Sequence, residues 1–160
     1  MSYNLNTATA VGTFIEARPF KKNADGTPKL NSDGSLSLAI TIGIRHNWTA
    51  EDGNVGMDFV DFEAFIPAGR RNPFEHTVRG ETVGFQYRPR KSVWMGEDGQ
   101  TQSRQFLQVN IMTVDYLTSK ADRDRLIARN AQKEAVAAAQ SSSETAEETP
   151  HQPELPLEEA

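Results

Sequence analysis

The stretch LSLAITIGIR, residues Leu36–Arg45, decides how this 160-residue chain is expected to fold. Large aliphatic side chains occupy every second position of the stretch, and smaller or polar residues stand between them. A period of two is the repeat of a β-strand that buries one of its faces. We therefore predict a strand here, with its core face formed by Leu36, Leu38, Ile40, Ile42 and Ile44.

Four more strands are predicted around this one. Residues 58–66 alternate in the same way, with Val60 and Phe62 on the core face and a mixed outer face made of Phe59, Asp61, Glu63 and Phe65. Residues 81–91 and 104–117 also alternate, and an Asp98-Gly99 turn separates them. Residues 4–16 form a less regular first strand, because their Thr and Ala content gives no clean alternation.

One short helix is predicted over residues 70–79, between the third and fourth strands, although Pro73 weakens it. Five strands with little else in a segment of this length indicate an all-β fold. Closing such a sheet into a barrel removes its exposed edges. We therefore expect a five-stranded barrel over residues 1–118.

Composition divides the chain into three regions. Residues 1–118 carry 12 Lys and Arg against 13 Asp and Glu, a net charge of −1. Residues 119–139 are charged and Ala-rich, typical of a linker or of a solvated helix that begins at a Ser119 cap. Residues 140–160 contain six Glu and no Lys or Arg, which predicts a disordered acidic tail.

The sequence lacks the residues and motifs that are typical of several other classes of protein. The chain has no Cys, and His46, His76 and His151 are scattered, so no metal site and no cofactor are expected. No Walker loop, dinucleotide fingerprint or nucleophile elbow is present, so we expect no enzyme activity. The first ten residues lack the pattern of a signal peptide, and no apolar run is long enough for a membrane span, so an intracellular protein is expected.

Large aromatic side chains fall on the predicted wet faces of the strands or beside their turns. Such a ring gains little from folding of the monomer, but it offers a flat surface on which an unpaired base stacks. The candidates for base stacking are Trp48, Phe59, Phe65, Trp94 and Phe106.

Cationic side chains are interleaved with these rings, where they are expected to contact phosphates. The candidates are Arg45, Arg70, Arg71, Arg79, Arg88, Arg90, Lys91 and Arg104. The pattern also fits an adaptor protein whose exposed rings bury a subunit or partner interface.

The order of these features resembles the bacterial and phage single-stranded DNA-binding protein family. The resemblance spans residues 4–117 and includes Val11-Gly12 in the first strand, Trp48 after the second, the stretch RGETVGF at 79–85, and a basic hairpin with Trp94 and Asp98-Gly99. It implies an oligonucleotide-binding barrel in which Trp48, Phe59, Phe65 and Trp94 stack bases.

The resemblance also implies biological roles. These are the coating of single-stranded DNA in replication, repair or recombination, a homo-oligomer that is expected to be a tetramer, and a cytoplasmic, nucleoid-associated location in a bacterial cell, with a phage or plasmid gene as an option. The family uses an acidic tail to recruit replication and repair proteins, and the corresponding residues here are Leu155, Pro156, Leu157, Glu158 and Glu159. A related module that binds RNA or acts in primosome assembly is the alternative.

Overall fold

The computed structural model describes residues 7–144, with side-chain environments for residues 7–140. Five main strands are followed by a short helical turn, a two-residue strand and a terminal helix. They are β1 (Ala8–Pro19), β2 (Leu36–Arg45), β3 (Met57–Ile66), β4 (Thr82–Met95), β5 (Thr101–Val109), a 3₁₀ turn (Ile111–Thr113), β6 (Asp115–Tyr116) and α1 (Lys120–Glu144).

The five main strands close into a barrel. Their order in the sheet is β1-β2-β3-β5-β4, and β1 pairs with β4 as well as with β2, which completes the ring. The pairing of β3 with β5 is parallel, whereas the neighbouring pairings are antiparallel. A five-stranded barrel of this order is an oligonucleotide-binding fold, so the predicted fold class is confirmed.

The barrel is filled by the alternating apolar residues of β2, β3 and β4. Phe62 is only 2% exposed, and its ring makes edge-to-face contacts with Phe85 at 5.1 Å and with Tyr87 at 5.0 Å between centroids. The predicted core faces of β2 and β3 therefore point inward as expected. The buried residues are Ala10, Phe14, Leu38, Ile40, Ile42, Phe62, Ala64, Ile66, Phe74, Val83, Phe85 and Val109.

The predicted helix at residues 70–79 is wrong. This segment forms consecutive turns, since the Asn72 side chain accepts a hydrogen bond from the Phe74 amide at 2.9 Å. Pro73 has no amide hydrogen to contribute to a helix. The turns place Phe74 in the core, where its ring packs against Phe14 and Phe85.

Several predicted strand limits differ from the structure, since β4 continues to Met95 and β5 already begins at Thr101. The last long strand ends at Val109 and not at residue 117, because the Asn110 side chain accepts a hydrogen bond from the Met112 amide and caps the 3₁₀ turn. β1 continues to Pro19, and its pairing with β2 shifts register between Phe14 and Glu16. The residues before this shift pair regularly with β4, and their small Ala, Thr and Gly side chains leave no clean alternation in the sequence.

One turn geometry recurs four times, always at an Asp-Gly pair. In each turn an aspartate Oδ1 accepts a hydrogen bond from the amide two residues later, at 2.9–3.1 Å. The glycine that follows each aspartate has a φ between +73° and +83°, which other residues rarely adopt. The four glycines are Gly26, Gly34, Gly53 and Gly99.

The helix α1 begins at the expected Ser119 cap, whose Oγ accepts a hydrogen bond from the Asp122 amide at 3.2 Å. Arg123 then ion-pairs with the buried carboxylate of Glu81, at 3.4 Å between Nε and Oε1. The described chain separates into two compact units between Leu126 and Ile127. The helix includes residues 140–144, and the remaining residues of the predicted tail lie outside those described.

Candidate nucleic-acid interface

The outer face of β3 carries two exposed aromatic rings. Phe59 is 64% exposed and Phe65 is 42% exposed, although their immediate neighbours Val60 and Ala64 point inward. They lie six positions apart on one strand, which corresponds to ~20 Å at the rise of an extended chain. This face is therefore long enough for more than one nucleotide.

The β4–β5 hairpin continues the same surface. In its register, Arg88 lies opposite Gln108, Arg90 opposite Phe106, and Trp94 opposite Gln102. Residues that face each other across a ladder point to the same side of the sheet. The parallel pairing of Glu63 with Gln108 joins this hairpin to β3. We call the resulting surface, which carries Phe59, Phe65, Trp94 and Phe106, the aromatic face.

Trp48 lies beyond one end of the aromatic face, on the loop between β2 and β3. Its ring packs on His46, with 4.7 Å between centroids. Nε2 of His46 lies 2.9 Å from Oδ1 of Asp58, the residue before Phe59. A side chain on Gly56 would collide with the His46 ring, so this glycine leaves the room that the arrangement needs. Trp48 is thereby held by a residue that contacts the start of β3.

Four of the predicted cationic residues lie on or beside this surface. Arg88 and Arg90 project from β4 on the side of Trp94, and Arg90 Nε donates a hydrogen bond to Gln108 Oε1 at 2.9 Å. Arg70 and Phe65 line a common cleft of about 390 Å³. Arg45 ends β2 opposite Met57, at the end of the sheet where Trp48 lies.

Three others are placed elsewhere. Lys91 pairs with Gln105 and points to the opposite side of the hairpin from Arg90. Arg71 lines a separate cleft with His76 and Arg123. Arg79 belongs to the turn before β4 and precedes Gly80, whose amide bonds to the carbonyl of Phe14 in β1. The side chains of Lys91 and Arg71 therefore lie away from the aromatic face.

Arg104 is on the aromatic face but is held by a carboxylate. Its Nη2 donates to Oε2 of Glu63 at 2.9 Å, and its Nη1 pairs with the other oxygen of the same carboxylate. Such a two-pronged pair fixes the plane of the guanidinium. In this structure the charge of Arg104 is therefore already matched by Glu63.

A basic arm between β1 and β2 was missed by the sequence reasoning. Residues 20–30 fold back as a small hairpin, in which the Lys29 amide bonds to the Lys21 carbonyl at 2.9 Å. Phe20 at the base of the arm is exposed, and Lys22 lines a cleft of about 630 Å³ with Phe106 and Arg104. The available signal was the run RPFKK at residues 18–22, where a ring is followed directly by two cations.

The solved structures that are similar to the chain include the following two. One is a deletion mutant of the single-stranded DNA binding protein from Thermus aquaticus, with a TM-score of 0.46 and 17% identity over 72% of this chain and 52% of that chain. The other is Plasmodium falciparum SSB in complex with ssDNA, with a TM-score of 0.44 and 12% identity over 74% of this chain and 99% of that one. The match thus spans about half the length of the Thermus chain. No family model and no curated protein matches the sequence.

The likeness to these two structures concerns the fold alone. The strand order of the barrel establishes that fold independently. What the surface of this chain binds has to be argued from its own side chains.

Carboxylates lie among the rings and cations of the aromatic face. Asp61 and Glu63 share the outer side of β3, and Asp61 accepts a hydrogen bond from the Thr41 hydroxyl at 2.5 Å. They offset much of the positive charge of Arg88, Arg90 and Arg104. Stacking on the rings would therefore contribute more to the binding free energy of a ligand on this surface than charge alone.

Within residues 7–144, no group of three or more His, Cys, Asp or Glu side chains is positioned to hold a metal ion. No helix among these residues has the length and apolar character needed to cross a membrane.

Proposed function

We propose that the aromatic face binds single-stranded DNA without sequence preference and performs no chemistry on it. The observation that carries the proposal is the placement of exposed rings and arginines on one continuous side of a closed barrel, over β3, β5 and β4. Unpaired bases expose π faces of every sequence, and rings of this kind stack on all of them.

Stacking supplies most of the affinity in this proposal. Each ring contributes ~1–3 kcal/mol when a base lies against it. Arg88 and Arg90 neutralise phosphates between the stacked bases, with release of bound counterions. Because residues 1–118 have a net charge of −1, attraction of the whole domain to DNA is weak and the rings have to compensate.

The finer biological roles follow from the family resemblance. On this basis the chain coats exposed strands during replication, repair or recombination in a bacterial cytoplasm, as a homo-oligomer around which DNA wraps. Leu155, Pro156, Leu157, Glu158 and Glu159 would recruit partner enzymes, and they lie outside the described residues.

Tryptophan fluorescence tests the proposal directly, because Trp48 and Trp94 are the only tryptophans in the chain and both are exposed. Addition of oligo(dT) at low salt is expected to quench the emission strongly. The variants Trp48→Phe and Trp94→Phe separate the two signals. An emission spectrum that does not change would reject DNA binding at this face and favour the adaptor function.

Competition separates DNA from RNA as the ligand. Oligo(dT) bound to the protein is challenged with oligo(dT) or with oligo(U) of the same length at one stated salt concentration. We expect added oligo(dT) to displace the bound oligo(dT) more effectively than oligo(U) does. Stronger displacement by RNA would transfer the proposal to the RNA-binding alternative.

A further inference from the structure

The side chains of Phe20, Glu63, Arg104 and Phe106, which we call the Arg104 cluster, join three separate parts of the chain. We propose that Glu63 and Arg104 clamp the basic arm against β5 and so build a subsite for one nucleotide. In this proposal Arg104 is a positioning residue and not a phosphate contact. The ligand assignment rests on the proposed function, whereas the clamp itself is a property of the free protein.

The geometry of the cluster is that of a clamp. The guanidinium carbon of Arg104 lies 5.8 Å from the centroid of the Phe20 ring and 5.1 Å from that of Phe106. The fork of the same guanidinium is engaged by both oxygens of Glu63. One planar cation thus contacts a ring on the arm, a ring on β5 and a carboxylate on β3.

The partial burial of Glu63 argues against its replacement by a phosphate. Its side chain is only 20% exposed, whereas that of Arg104 is 50% exposed. If Arg104 turned to a phosphate, a carboxylate with only 20% of its side chain exposed would be left without its partner, which lowers stability. The pair is therefore expected to stay intact when DNA binds.

The cleft beside the cluster has the chemistry of a nucleotide subsite. Rings from Phe20 and Phe106 line it, which suits a base. Arg18 and Lys22 lie at the same cleft, where they suit the attached phosphate. Its volume of about 630 Å³ depends on the position of the arm, so the clamp sets the width of the subsite.

The first test uses the free, full-length protein. Amide hydrogen exchange is measured over residues 20–30 in Arg104→Gln, in Glu63→Gln and in the matched variant Arg88→Gln, which changes another arginine of the same face. Loss of the clamp is expected to speed exchange in the arm by about fivefold or more in the first two variants and not in the third. Unchanged exchange in both Arg104→Gln and Glu63→Gln would overturn the clamp.

The second test compares oligo(dT) affinity as a function of salt. If Arg104 is a positioning residue, Arg104→Gln should bind oligo(dT) more weakly, but the slope of log affinity against log salt concentration should not change. Loss of a phosphate contact would instead lower the magnitude of that slope by about one. Glu63→Gln is also expected to weaken binding, although it removes a negative charge. Arg104→Lys should fail to restore affinity, since an ammonium has neither the fork nor the plane of a guanidinium.

The opposite pattern would refute the assignment. Arg104 would be a phosphate ligand, and Glu63 its competitor, if three results were obtained together. These are a lowered salt slope in Arg104→Gln, tighter binding by Glu63→Gln and near-normal binding by Arg104→Lys. Thermal melting of each variant confirms that it is folded. If the unmodified protein does not bind DNA at all, the proposed function fails, and the exchange experiment still decides whether the clamp exists.

Discussion

Exposure divides the aromatic side chains of β3 into two groups with different physical roles. Phe62 is enclosed by Phe85 and Tyr87 and stabilises the barrel, whereas Phe59, three residues earlier on the outward side of the strand, projects into solvent. A ring in solvent contributes little to the free energy of folding. Its contact area remains available for a ligand, and the same reasoning applies to Trp94 on β4.

Trp94→Ala is expected to weaken oligo(dT) binding by ~1–3 kcal/mol, the value of one lost base stack. The side chain is 42% exposed, so the free energy of unfolding should change by less than ~1 kcal/mol. Val93→Ala is the matched control, because Val93 is exposed on the opposite side of the same strand. Fluorescence anisotropy of a labelled oligomer measures the affinity. If Trp94→Ala and Val93→Ala lose affinity equally, the interface is not confined to one side of the hairpin.

The two cationic neighbours Arg88 and Lys91 provide a second test at this scale. Arg88→Gln is expected to lower the slope of log affinity against log salt by about one, since it removes one phosphate contact. Lys91→Gln should leave the slope unchanged, because Lys91 points away from the aromatic face. Binding isotherms at several salt concentrations measure both slopes. If Lys91 alters the slope as much as Arg88, DNA contacts both sides of the hairpin.

At the level of elements, local pattern was sufficient for β2 and β3. Both alternate strictly, and their observed limits match the predicted ones to within one residue. The pattern of β1 was obscured because residues 8–13 are mostly Ala, Thr and Gly. The segment at 70–79 was predicted wrongly because the turn at Asn72 depends on one side-chain hydrogen bond. Neither feature produces a periodic signal in the sequence.

The candidate site was predicted where it depends on strand alternation. The outward placement of Phe59, Phe65 and Phe106 follows directly from a period of two. The contact of Phe20 with Arg104 was not predictable in this way, since it joins residues far apart in the chain through the folded arm. Lys91 follows Arg90 directly, so the same period of two already placed it on the far side of the hairpin, where the register has it.

The aspartates of three Asp-Gly turns make the stability of the fold depend on pH. Hydrogen bonds from Thr27 and Ser35 hold the pKa of Asp25 and of Asp33 below the usual value, and the Asn54 amide does the same for Asp52. A carboxyl whose pKa is lower in the folded state than in the unfolded state stabilises the fold above the unfolded pKa. That contribution is lost as the pH falls through the folded pKa.

The variant Asp25→Asn/Asp33→Asn/Asp52→Asn tests this linkage. It is expected to be less stable than the unmodified protein at neutral pH, and the difference should shrink below about pH 4 as the aspartates become protonated. Thermal melting from about pH 7 to pH 2 measures both curves. A difference that stays constant across this range would show that the charges of these aspartates do not support the turns.

At the scale of the whole molecule, the start of α1 belongs with the barrel. Glu81 is 2% exposed, and its carboxylate accepts a hydrogen bond from the Val78 amide at 2.5 Å while it pairs with Arg123. Arg123 also donates to the carbonyl of His76. A buried carboxylate without its cation is strongly destabilising. The folded unit that carries the aromatic face therefore requires the first turn of the helix.

Two truncations separate the helix start from the acidic segment. A chain that ends after residue 119 loses Arg123 and is expected to melt at a lower temperature, because Glu81 is left unpaired in the interior. A chain that ends after residue 130 keeps Arg123 and lacks all six Glu of residues 140–160, so it should remain stable. It should bind oligo(dT) at least as tightly as the full chain, since those carboxylates no longer compete for the arginines of the aromatic face. If the chain that ends after residue 130 binds more weakly than the full chain while its melting temperature is unchanged, the acidic segment assists DNA binding and does not oppose it.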